Sequence, residues 1–154
     1  MAYSVGAKEV SKYIPRHDLW RARFEKAIDD AKQRPFNWDG NECVIGLCAN
    51  VILAITGTDL AAEYRGKFKD ALSAARLMKQ MGFDNIADLT ASFLEEYERG
   101  PSQAKIGDLV AIPDDTPFGY SLGVVNGERV FVLTETGMGT VDLLSATRAF
   151  RVGG

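Results

Sequence analysis

The stretch Asn41-Glu42-Cys43-Val44-Ile45-Gly46-Leu47-Cys48-Ala49-Asn50-Val51-Ile52-Leu53-Ala54-Ile55-Thr56-Gly57 sets the frame for the whole chain. Asn41 is a good N-cap, and Gly57 suits the C′ position where a left-handed residue closes a helix. Between them Val44, Ile45, Leu47, Val51, Ile52, Leu53 and Ile55 wrap most of the circumference of a helix from about Glu42 to Thr56. Apolar on nearly all sides, such a helix is expected to be central and largely buried. Cys43 stands at its N-terminus, where the helix dipole can lower a thiol below its free pKa of about 8.5. Acyl-transfer chemistry also needs a proton acceptor. The chain has one histidine, His17, upstream of Cys43.

On the N-terminal side, residues 1–17 are of mixed character and read as an arm, leaving residues 18–154 as a single domain. Asp18 can cap a helix whose Trp20, Phe24, Ala27, Ile28 and Ala31 fall on one face, ending before Pro35. Beyond Gly57, Asp59 starts a short helical turn through Tyr64. Asp70 then caps a helix through Met81 closed by Gly82, and Asn85 caps another through about Tyr97. Gly100-Pro101 breaks the pattern, and the apolar period changes from 3.6 to 2. Ile106–Ile112, Tyr120–Val125, Arg129–Thr134, Thr140–Leu143 and Ala149–Val152 read as strands. Asn126-Gly127 is expected to form one two-residue hairpin turn, and Gly137-Met138-Gly139 another turn. Helices first and an antiparallel sheet second make an α+β chain.

Composition narrows the function classes. The 154 residues are 46% hydrophobic and 25% charged, as in a globular domain, and a net charge of −3 argues against a nucleic-acid binder. The mild basic cluster Arg65, Lys67 and Lys69 reads as a solvated face. The longest apolar stretch is interrupted by Asn50, so no membrane span is expected. On an α-helix Cys43 and Cys48 lie about 140° apart and cannot bond to each other. No Cys/His pair has metal-ligand spacing, Asp108, Asp114 and Asp115 do not make a calcium loop, and no cofactor is expected. Trp38 is expected to pack over the start of the central helix rather than to dock a partner.

A helix opened by cysteine, followed by a sheet that starts with Gly107-Asp108-Leu109-Val110, resembles the NlpC-type cell-wall cysteine peptidases of the papain-like superfamily. In that resemblance Glu42-Cys43 stands for an Asp-Cys pair and Ser121-Leu122-Gly123-Val124 for the strand that supplies the base, so Ser121 occupies the histidine position. A closer resemblance, over nearly the whole chain, is to a small tailed-phage protein family of the same superfamily encoded among tail-tip genes. It rests on Trp20, Arg34-Pro35-Phe36-Asn37-Trp38-Asp39-Gly40-Asn41-Glu42-Cys43, Thr56-Gly57-Thr58-Asp59, Arg65-Gly66 and Leu122-Gly123-Val124. The chain departs from that pattern by Asp39 before Gly40 and by Glu42 where aspartate precedes the cysteine.

The resemblance implies an NlpC-like fold and a virion protein of the tail tip, assembled in the host cytoplasm and partnered by other tail-tip proteins. With Ser121 at the base position, Cys43 reads as a vestigial nucleophile in a pseudoenzyme, and His17 as a poor alternative base. Cys48 reads as core. The competing expectation is an active thiol hydrolase that cuts peptidoglycan during DNA delivery, with Cys43 as nucleophile.

Overall fold

A computed structural model describes residues 14–36 and 43–153, and for residues 43–45 the backbone alone. The expectations for residues 1–13, for Trp38 and for the Asn41 cap lie outside the described residues. Helix α1 spans Trp20–Gln33 and buries Phe24, Ile28 and Ala31, the face its spacing marks. Asp18 does not cap it. The N-cap residue is Leu19, whose N–H donates instead to His17 Nδ1 at 3.0 Å.

The central helix runs from Cys43 to Thr56 in two geometries, a π-helical segment Cys43–Ala49 and then α2, Asn50–Thr56. Leu47, Val51 and Ile55 are fully buried in it. Gly57 closes it at φ 82°, with its N–H on Leu53 O at 2.8 Å. The π geometry corrects the expected angle between the cysteines. Its repeat closes at i+5 rather than i+4, so backbone positions 43 and 48 fall about one turn apart on the same side.

Helix α3, Ala71–Gln80, starts with the expected cap. Asp70 accepts from Ser73 N–H at 2.7 Å, and Ser73 Oγ takes the Asp70 N–H in return. Helix α4, Ile86–Ala91, starts at Asn85 but ends six residues short of Tyr97. Glu95–Glu96 form strand β1, antiparallel to the last strand, and Tyr97 N–H bonds Ala149 O at 2.9 Å. Pairing with a sheet edge outcompetes a helical period that Phe93 and Tyr97 satisfy by coincidence.

Strands β2 (Leu109–Pro113), β3 (Tyr120–Asn126), β4 (Arg129–Thr134), β5 (Gly137–Asp142) and β6 (Arg148–Arg151) complete an antiparallel sheet of order β1-β6-β2-β3-β4-β5. Two turns sit apart from their expected places. Asn126 pairs with Arg129, so the first loop is Gly127-Glu128, with glycine alone at positive φ, the pattern of a type II′ turn. Thr134 pairs with Gly137, so the second loop is Glu135-Thr136 and the Gly-Met-Gly run lies within β5. One sheet face (Leu109, Ala111, Leu122, Val124, Leu133) packs against the helices. Val110, Val125 and Val130 on the other face meet Ala146 and Ala149. No helix is long and apolar enough to cross a membrane among the described residues.

Candidate functional site

The central helix and the segment after it are locked by one polar clasp. Arg65 Nε and Nη2 donate to Asp59 Oδ2 and Oδ1 at 2.9 and 3.1 Å, and Nη2 also reaches Asn50 Oδ1 at 2.8 Å. Asn50, the first residue of α2, returns its amide to Gly46 O at 3.2 Å, across the junction of π- and α-helical turns. Thr56, Gly57, Asp59 and Arg65 are therefore parts of one device that ends the helix and turns the chain. Arg65 is not part of a solvated basic face; its fork is spent on Asp59 and Asn50. The Arg65 hydrogen bond holds the Asp59 carboxyl below its ordinary 3.8. A depressed folded pKa contributes stability that is present above 3.8 and lost as pH falls through the folded value. In acid titrations of unfolding free energy, Asp59→Asn is expected to flatten the slope below pH 3.8; an unchanged slope would show the clasp to be energetically silent.

The π-helical segment packs on β3 and β4, which brings the cysteine end of the central helix to the strand that carries Ser121. Ser121 lies opposite Ile112 on β2, and its hydroxyl donates a short hydrogen bond to Asp114 Oδ2. Thr116 holds the other carboxylate oxygen, by Oγ1 at 2.6 Å and N–H at 3.2 Å. The hydroxyl donates to this carboxylate, and a neutral hydroxyl is in any case too weakly basic to act as the general base. In the sequence Asp114 stands in Pro113-Asp114-Asp115, which bounds the strand and does not point to a partner for β3. His17 belongs to the other end of the helix. Its N–H donates to Ile55 O at 2.7 Å, twelve residues along from Cys43, and so roughly 15 Å or more away. Its Nδ1 is occupied by Leu19 N–H. The structure thus packs the π-helical segment that begins at Cys43 on the strand that carries Ser121, and sets His17 at the other end of the helix. No group of three metal-ligating side chains occurs among the described residues.

Beside Ser121 opens a cavity of about 450 Å³. Its floor is Leu109, Leu122 and Leu133 of the sheet, Cys48 and Ile52 of the central helix form one wall, and Leu77, Met78 and Met81 hang over it from α3 and its end. Helix α3 borders this space and reaches the core beside it through the buried Met78. An apolar void costs about 24 cal/mol per Å³ when empty. A fully enclosed void of 450 Å³ would thus cost on the order of 10 kcal/mol, comparable to the whole stability of a domain. That figure is a ceiling, because the cavity opens to solvent.

A family model described as "Domain of unknown function (DUF6950)" matches residues 15–152. The chain belongs to the DUF6950 family. No curated protein matches the chain. The span shared with DUF6950 begins beside Arg16 and ends on Val152, and one buried carboxylate joins the two. Asp108, 1% exposed, accepts from Arg16 Nη2 at 3.1 Å and Val152 N–H at 2.9 Å on Oδ1. Its Oδ2 accepts from Tyr97 O–H at 2.7 Å and Lys105 N–H at 2.8 Å. Arg16 also donates to Val152 O and Ile106 O, and lies 4.3 Å from the Trp20 ring centroid. Burial, and then the bond to Asp108, push the Tyr97 phenol above its ordinary range, so it stays a donor. The Asp of the Gly-Asp-Leu-Val motif joins the two ends of the DUF6950 span through Arg16 and Val152.

Proposed function

We propose that this DUF6950 domain is a non-catalytic NlpC-like module that serves as a structural adaptor of a phage tail tip, binding other tail proteins and carried in the virion. The observation behind this reading is the Ser121–Asp114 pair. At the strand position where the resemblance calls for a base, the side chain present is a hydroxyl already donating to a carboxylate. The one histidine is spent at the far end of the central helix. Without a base beside it, a helix-start thiol lacks the proton acceptor that acyl transfer needs.

Iodoacetamide labelling of Cys43 as a function of pH, read by mass mapping of its peptide, is expected to give an apparent pKa at or above about 8. Purified protein is expected to show no peptidoglycan lysis that Cys43→Ser removes. A thiolate titrating below about 7 together with lysis lost in Cys43→Ser would instead establish the hydrolase. For the adaptor role, copurification with neighbouring tail proteins is expected to survive Cys43→Ser and to be lost on deletion of residues 1–14. Failure of the wild-type protein to hold any tail component would refute that role.

A further inference from the structure

We propose that the cavity beneath α3 is a binding site for a cationic amphiphile, a ligand with an aliphatic or aromatic body and an ammonium or guanidinium head. Its volume of about 450 Å³ lies in the range of small-molecule pockets, which are mostly apolar with a few polar groups that orient the ligand. Here the apolar lining comes from the sheet, the central helix, α3 and α4, and the thioethers of Met78 and Met81 supply an adaptable roof. Charge is confined to two lining residues, Asp114 and Glu135, and no lysine, arginine or histidine lines the cavity among the described residues. Among the described residues neither carboxylate has a cationic partner: there Asp114 accepts from Ser121 and Thr116, and Glu135 makes no ion pair. Arg148, over the Tyr120 ring, is already held by Glu96 and Asp88. A positive head is therefore stabilised at this end, a neutral one gains little, and an anionic one is repelled. The site does not depend on the tail-tip reading or on Cys43 chemistry.

The test titrates the intact protein at pH 7 with decylammonium, decanol and decanoate, each below its micellar concentration, by calorimetry. Decylammonium is expected to bind one-to-one and at least ten-fold more tightly than decanoate. Asp114→Asn combined with Glu135→Gln is expected to erase the preference for the amine while decanol binding persists. Ala74→Phe, which fills the space from α3, is expected to abolish binding of all three; should that variant not fold, Leu77→Trp takes its place. Equal affinity for the three probes, no saturable decylammonium binding, or binding that survives the filled cavity overturns the proposal.

Discussion

Asp108→Ala is expected to lower unfolding free energy by about 3–5 kcal/mol, the range for breaking a buried charge pair by removing one partner. The carboxylate is nearly inaccessible and takes four hydrogen bonds, from Arg16, Val152, Tyr97 and Lys105. Alanine leaves the Arg16 guanidinium, itself mostly covered, without a counter-charge, and strands the Val152 N–H and the Tyr97 hydroxyl. Each stranded donor costs about 1–3 kcal/mol of desolvation. For a chain of this length the loss corresponds to a fall of roughly 10 °C in Tm. Urea unfolding measures it directly. Tyr97→Phe, which removes one donor and leaves the ion pair, is expected to cost only about 1 kcal/mol. Asp108→Asn is expected to fall between them, because it keeps an acceptor for Arg16 but turns an amide toward N–H or O–H donors. A loss under 1 kcal/mol for Asp108→Ala would mean that water satisfies these groups and that the N-terminal anchor does not stabilise the domain.

What the sequence made legible follows from the range over which each determinant acts. The start of α3 at Asp70 and of α4 at Asn85, and the end of the central helix at Gly57, depend on residues within one turn, and all three are where the chain signals them. The strands at Leu109 to Ile112 and at Leu122 to Val125 also form within the segments that the sequence marks. The failures share a cause. The end of α4 is decided by the Arg148 and Arg151 strand, more than fifty residues away, which pairs with Glu96 and Glu95 across the β1–β6 edge. Gly127-Glu128 supplanted Asn126-Gly127 because β3 and β4 fix the register, and a single positive φ then suffices. The π-helical turns at Cys43–Ala49 have no sequence signature in a helix that is apolar all round.

The candidate site divides along the same line. Ser121 on β3 was readable from motif order, as was the helical backbone at Cys43. The cavity was not, since Met78, Leu77 and Ile52 carry the spacing of ordinary core residues, and only the tertiary arrangement of α3 over the sheet makes them a lining. Asp114 escaped for a related reason. A carboxylate in a turn is expected to serve that turn, and Thr116 makes it do so, while the second oxygen is left for Ser121.

Gly123→Ala is expected to destabilise by about 1–3 kcal/mol, the range for overpacking a tight interior. Gly123 sits mid-strand in β3, opposite Val110 of β2, at the centre of the sheet. A methyl group there meets Val130 Cγ1 and lies 2.9 Å from the Phe131 carbonyl oxygen. Val130 can rotate, but the carbonyl is backbone of β4, so relief requires that β3 and β4 move apart. Ser121 stands two residues away on the same strand, and such a shift also loosens its bond to Asp114. Gly139 in the edge strand β5 provides the contrast. An added Cβ meets nothing within 4 Å there and the backbone is not left-handed. Gly139→Ala is therefore expected to be neutral, or stabilising by about 0.4–1 kcal/mol through loss of unfolded-state freedom. Matched urea unfolding curves with equal slopes would separate the two. If Gly123→Ala proved as benign as Gly139→Ala, the glycine of Leu122-Gly123-Val124 would not be set by the close approach of β4, and the sheet would have more give than its packing implies.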